Sequence, residues 1–385
     1  MAEDANGLSG VDAATLAPMV RELLDEPTAV VTEGWTCRPL GGGAGEGLGL
    51  YRVAGSTRVR GATRPWALVI KVCAATDGAD PKAWDYPARE AMAYGSGLLA
   101  ALPGGLATPR CLAVEAQPDG TTRLWLEAVT DAHPGPWPLD RHALVARHLG
   151  RFNGACLAGT PLPELPWLSR GWLRDFVAPS GPAVAELERL SGSGASSLAR
   201  KLYPPPVVVE IKRLWTEREL FLAALDWLPQ TLCHLDAFRR NLLIRAGPEG
   251  EELVAIDWAY AGHGAVGEEL GQLVVASLFF FETVDTAPRD LDAACFAGYV
   301  TGLREAGWVG DERLVRLGFA ADAALRHPVG LLGQIWSLVA DPALRPIVED
   351  LFGRPLEEVV EAWAELWSFQ FGLAEEARAL LPAVG

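Results

Sequence analysis

The chain has no surplus of positive charge, no long apolar run and no paired-cysteine spacing, and each absence narrows what it can be. Its 33 lysines and arginines are outnumbered by 49 aspartates and glutamates, giving a formal net charge of −16 at pH 7. Such a surface repels a phosphate backbone on average, so nucleic acid is not expected as a partner. The most apolar stretch, 273–281, is shorter than the ~20 residues that cross a bilayer, which predicts a buried helix and no membrane partner. Cysteines at 37, 73, 111, 156, 233 and 295 show no Cys-x-x-Cys spacing; isolated reduced thiols in a cytoplasmic protein are expected, and no zinc site. The first residues are acidic and lack the basic and apolar regions of a signal peptide. Internal repeats, low-complexity tracts and a phosphate loop ending in Gly-Lys-Ser/Thr are also missing.

What is present is concentrated between positions 232 and 258. Residues 242–245 and 253–256 read as two apolar strands joined by turn residues, Ala246-Gly-Pro-Glu-Gly-Glu251. In an antiparallel hairpin the residue before the first strand and the residue after the second lie side by side, so Asn241 and Asp257 should converge. Two oxygen donors beside each other suit magnesium, which takes few protein ligands and leaves positions for phosphate oxygens and water. Asp236, five residues before Asn241, would stand close to the metal without binding it, as suits a carboxylate that accepts a proton from an incoming hydroxyl.

His234-Leu-Asp236, Asn241 and Ile256-Asp257-Trp258, in this order and spacing, resemble the catalytic and metal-binding loops of the aminoglycoside phosphotransferase and choline kinase-like family. The resemblance implies a protein-kinase-like α+β fold in two lobes, a small N-lobe with a five-stranded antiparallel sheet plus a helix and a larger, mainly helical C-lobe. It also implies Mg2+ and ATP or GTP as phosphoryl donor, with Asp236 catalytic, Asn241 and Asp257 on the metal, and His234 structural. Upstream, Lys71 lies in the apolar run 65–72, where an ammonium needs a carboxylate partner. Glu90 offers one, on a helix over 82–102 whose Tyr94 and Leu98 share its inward face. Lys71 and Glu90 then resemble the kinase pair that grips the α- and β-phosphates; the alternative is a snorkelling edge lysine and a solvated carboxylate. The glycine-rich segment 40–50 takes the place of a flap over the nucleotide, though a flexible turn has the same composition.

The chain divides into an N-terminal tail and helix (1–34), an N-lobe (35–130) and a C-lobe (131–385). The first helix is capped by Asp12, and strands follow at 35–40, 48–54, 65–72, 112–115 and 123–128. Segment 127–138 is the hinge whose backbone, in the family, grips adenine. Helices are expected over 139–157, 207–225, 268–281, 289–305, 311–340 and 356–381, with an irregular insert at 159–206 of the kind that shapes acceptor specificity or is plain surface loop. On the last helix Glu357, Glu361 and Glu365 share a face that is solvated or lines an acceptor cleft, while Trp363, Trp367 and Phe371 read first as core.

The sequence departs from the family pattern at Arg240, where many members have glycine. Arg239 and Arg240 either stabilise charge on the transferring phosphoryl or pair with nearby acids. Glu269 stands where the family often has aspartate, as a structural clamp. No activation segment of the protein kinases follows Asp257. The expected activity is transfer of the γ-phosphate of ATP or GTP to a hydroxyl of a small acceptor, an antibiotic such as an aminoglycoside or nucleoside compound, with resistance or self-protection as the role. Choline, an amino sugar or a nucleoside metabolite are alternative acceptors, and a nucleotide-binding pseudokinase is the alternative without turnover.

Overall fold

Along Ala62–Cys73, Trp66, Leu68, Ile70 and Val72 fall on alternate positions and are buried, while Ala67, Val69 and Lys71 occupy the other face. This strand is the centre of the smaller lobe in the computed structural model, which describes residues 8, 10–31, 34–40, 49–76, 78–192, 194–247 and 250–384. Helix α1 (Ala13–Leu24) leads into strands β1 (Val30–Val31), β2 (Thr36–Pro39), β3 (Gly49–Val59) and β4 (Ala62–Cys73). Helix α2 (Arg89–Gly95), β5 (Cys111–Ala116) and β6 (Thr122–Glu127) complete the lobe. The sheet is antiparallel in the order β1-β3-β4-β6-β5, with β2 also on β3. All five expected strands are present, and Val30–Val31 adds a short sixth at the edge.

Asp12 caps α1, accepting from the Thr15 amide at 2.8 Å, and the helix buries Leu16, Met19 and Val20 against Val53, Leu68, Ile70 and Trp125. That packing occupies the outer face of the sheet. The inner face, bearing Lys71, is left for α2 and the cleft. The helix expected over 82–102 is much shorter: α2 starts after Pro87, and Gly97, at φ +79, ends the segment before a 3-10 turn at Leu98–Ala101. The glycine-rich stretch 41–48, expected as the nucleotide flap, lies outside the described residues.

The larger lobe begins with α3 (Leu139–Leu157) and β7 (Ser169–Arg170), then α4 (Trp172–Val177), α5 (Gly181–Leu190), α6 (Ser197–Leu202) and α7 (Pro205–Trp227). The insert at 159–206 is therefore partly helical. Its helices are too short for a clear 3.6-residue period, which is why the sequence pattern did not show them. Strand β8 (Gln230–Cys233), the hairpin β9 (Leu242–Gly247) and β10 (Gly250–Ala255), and β11 (Gly262–Ala265) carry the loops of interest. Helices α8 (Glu268–Gly271), α9 (Ser277–Phe279), α10 (Pro288–Glu305), α11 (Glu312–Leu325), α12 (Leu332–Ala340), α13 (Arg345–Phe352) and α14 (Leu356–Val384) follow.

Two expected helices are interrupted by π turns, at Gln272–Ala276 and Arg326–Gly330. The second contains Pro328, which has no amide to continue an α-helical ladder. On α14, Glu357, Glu361 and Glu365 are exposed, and Trp363 and Trp367 are buried. Among the described residues no helix is long and apolar enough to cross a membrane.

Helices α3 and α10 pack backbone to backbone. A Cβ on Gly302 would come within 2.0 Å of the Arg147 carbonyl oxygen, and one on Gly150 within 2.1 Å of that of Tyr299. Gly302→Val should force the pair apart and cost about 1–3 kcal/mol. A variant whose thermal unfolding midpoint equals that of wild type would contradict this packing.

Candidate active site

The β9–β10 register pairs Leu242 with Ala255, and one further bond, from the Ile256 amide to the Asn241 carbonyl at 2.9 Å, extends it. Asn241 and Asp257 thus flank the open end of the hairpin. The preceding loop is fixed by His234, whose Nε2 bonds the Ile256 carbonyl at 2.8 Å while its Nδ1 accepts from the Asp236 amide at 3.2 Å. Burial lowers the His234 pKa to about 4, so a neutral ring with Nε2–H donating fits both bonds. Leu235 and Asp257 are both left-handed, at φ +63 and +62, conformations that cost on the order of 1–3 kcal/mol each and persist only where neighbours impose them. At Leu235 the constraint is visible: its amide donates to Glu269 Oε1 at 2.8 Å, the clamp expected of that glutamate.

Strand β4 delivers Lys71 across the cleft to this loop. Its Nζ lies 2.8 Å from Asp257 Oδ1 and 2.5 Å from Glu90 Oε2. Glu90 is 3 % exposed, and its other oxygen accepts from the Trp258 amide at 3.3 Å. Burial opposes the charge on Lys71, but the two carboxylates outweigh it and raise its pKa. Burial would raise Asp257 as well, yet the Lys71 ammonium holds it below the usual carboxylate range. Lysine, glutamate and aspartate from three separate elements therefore form one linked group, in which burial raises the pKa of Glu90 against the pull of the Lys71 ammonium.

Asp236 sits in different surroundings. Its Oδ2 accepts from Asn241 Nδ2 at 2.7 Å, and its Oδ1 from Gln272 Nε2 at 2.7 Å and Arg326 Nη2 at 3.3 Å. Burial raises its pKa to about 6, against the pull of Arg326. A carboxylate has about four acceptor positions, so one, on Oδ2, has no donor among the described residues.

The amide of Asn241 is oriented by the same contacts. Its Nδ2 is committed to the Asp236 carbonyl and carboxylate, which leaves Oδ1 as an acceptor with no donor among the described residues. Together with the half-exposed Asp257 carboxylate, that supplies two hard oxygens, a donor set that fits Mg2+ when phosphate and water complete the shell. Among the described residues there is no cluster of three His, Cys, Asp or Glu, so a metal held wholly by protein side chains of those types is not built here.

The five residues singled out in the sequence are thus brought together around one cleft. The two arginines are not aimed at it. Arg239 binds Asp131 at 2.6 Å and the carbonyls of His133, Gly135 and Leu242, and Arg240 binds Glu282 at 2.6 Å, so of the two readings the pairing with acids is the one observed. Sequence reasoning missed Gln272 and Arg326, for which no motif exists, and Arg89, hidden beside Glu90. Arg89 is fully buried and donates to the carbonyls of Pro81, Ala83 and Trp84 before α2 and of Trp167 and Ala259 in the larger lobe, tying the Glu90 helix to both sides.

Comparison with known proteins gives the family and the fold. The sequence model of the phosphotransferase enzyme family matches residues 58–309. No curated protein matches the chain in sequence. Among solved structures, a microcompartment-associated aminopropanol kinase is 14 % identical, with a TM-score of 0.53 and coverage of 93 % of this chain and 98 % of that one. An aminoglycoside phosphotransferase from Alicyclobacillus acidocaldarius is 14 % identical (TM-score 0.47, 90 % of each chain). A spectinomycin phosphotransferase with ADP and spectinomycin is 13 % identical (TM-score 0.47, 92 % of this chain and 98 % of that one). At 14 % identity the likeness to the aminopropanol kinase speaks for the fold, which with the family match is the two-lobed, protein-kinase-like one that the motifs implied.

Behind the loop, burial raises the pKa values of Glu268, Glu269 and Asp322 to about 8, 7 and 7. The folded protein keeps protons there that an unfolded chain releases from pH ~4 upward. Their contribution to stability is therefore full below about pH 4 and is lost as pH rises to about 7–8. Asp322→Asn should gain stability over wild type progressively from about pH 4 to about pH 7 and level off above it, read from denaturant midpoints; a difference that does not change with pH would contradict the assignment.

Proposed function

The chain belongs to the phosphotransferase enzyme family, and we propose that it moves the γ-phosphoryl of ATP or GTP to a hydroxyl of an amine-bearing, antibiotic-like small molecule in the cytoplasm, giving resistance or self-protection. The observation that carries the chemistry is the one acceptor position on Asp236 left without a donor among the described residues, next to Asn241 and on the loop before the hairpin whose Asp257 meets Lys71. Asp236 takes the proton of the acceptor hydroxyl, the freed oxygen bonds to the γ-phosphorus, and the bond to the β-phosphate bridging oxygen breaks, releasing the nucleoside diphosphate. Lys71, held by Glu90, binds the α- and β-phosphates. Asn241 Oδ1 and Asp257 would hold Mg2+, which would supply charge neutralisation on the phosphate oxygens.

A net charge of −16 supports a cationic acceptor, drawn to the protein at long range. Modification would place about two negative charges on a hydroxyl that the antibiotic's target must bind. The insert bears on the site indirectly: the Trp167 carbonyl accepts from Arg89, and the buried Trp172 ring lies against the Arg326 guanidinium.

Asp236→Ala should lower kcat by roughly 10²–10⁴-fold while nucleotide binding survives. The check is mass gain on an acceptor library incubated with Mg-ATP; near-wild-type turnover by the variant would refute the role. Lys71→Ala leaves two carboxylates facing each other and should raise the nucleotide KM by at least about tenfold. Unchanged nucleotide kinetics would place the phosphate anchor elsewhere.

A further inference from the structure

Asp236 is held from a direction that no motif marks. Gln272 and Arg326, the two donors to its Oδ1, are the first residues of the two π turns, Gln272–Ala276 and Arg326–Gly330. A π turn inserts a residue into the helix and re-aims the side chains around it, and such turns concentrate where function needs a particular direction. Here two of them, on different helices, aim at one carboxylate oxygen.

Arg326 is built in. It is 4 % exposed, its guanidinium lies 4.3 Å from the centre of the Trp172 ring, and Trp172 is itself stacked on Phe176 at 4.6 Å. It stands in the field of Asp322, four residues earlier on the same run of helix, of Glu268 and Glu269 on the segment packed against α11, and of His234 and His327. A cation serving only to compensate those acids would bond to them. Instead both Asp322 oxygens are buried without a hydrogen-bond partner, and the one side-chain hydrogen bond of Arg326 among the described residues goes to Asp236.

We propose that Arg326 is a positioning residue for phosphoryl transfer: braced on Trp172, it fixes Oδ1 of Asp236 together with Gln272 and so points the free acceptor position on Oδ2 at the incoming hydroxyl. The inference rests on the phosphotransferase reading above. Its physical basis is that a base displaced by about 1 Å can lose on the order of 10²-fold in rate, and that a planar guanidinium fixes direction where an ammonium does not.

The test compares wild type with Arg326→Lys, Arg326→Gln, the control Asp322→Asn and the double variant Arg326→Gln/Asp322→Asn, which removes a buried acid together with the cation should the single change fail to fold. Mg-ATP turnover is measured with kanamycin, spectinomycin, 1-amino-2-propanol and water as acceptors, alongside unfolding midpoints. The expected result is a kcat at least roughly tenfold lower in every folded Arg326 variant, the lysine form included, with nucleotide KM within about twofold of wild type. Recovery of wild-type kcat in the double variant, or an undiminished kcat in Arg326→Gln, would reduce Arg326 to a counter-ion for Asp322 and overturn the proposal. Absence of turnover by wild type with every acceptor, water included, would instead overturn the phosphotransferase reading, and this inference with it.

Discussion

The ammonium of Lys71, placed between Glu90 and Asp257, is the interaction on which the rest depends. It joins a strand of the small lobe, the helix packed on that strand and the loop of the large lobe at a single point. Burying one such charge alone costs several kcal/mol, and removing one partner leaves another exposed to that penalty, so the three are stable only as a set. Arg89 reinforces the same junction with neutral acceptors, bonding backbone carbonyls on both sides of it. The lobes are therefore held in register at this junction.

Two aspartates in that cleft are driven apart by their surroundings. Asp257 shares the lysine and stays ionised; Asp236 is buried among donors that only partly offset its desolvation, which raises its pKa to about 6. One carboxylate is thus suited to a cation and the other to a proton, a division of labour set by neighbours and not by residue type. His234 and Glu269 serve this arrangement indirectly, by holding the left-handed Leu235 between them.

The parts legible in the sequence were those whose cause is local. The apolar run 65–72 exposed β4, apolar runs around a turn exposed the β9–β10 hairpin, and the spacing of Asp236, Asn241 and Asp257 carried the loop geometry. The lengths of helices were read less well where local chemistry is mixed: Pro87 and Gly97 shortened α2, and Pro328 broke a helix whose apolar period continues through it. Arg326, Gln272 and Arg89 were invisible because each acts on a residue far away in the chain, through a contact that no periodicity encodes. Arg239 and Arg240 show the opposite case. Their position beside Asn241 suggested the reaction, and their partners, Asp131 and Glu282, lie on segments whose approach only the fold reveals.

The most direct test is a crystal structure with Mg2+ and a non-hydrolysable ATP analogue. The account predicts the triphosphate between β4 and the β9–β10 hairpin, with Lys71 Nζ on phosphate oxygens and Asn241 Oδ1 and Asp257 as the protein ligands of the metal. A nucleotide bound away from Lys71, or a metal held by other side chains, would contradict it.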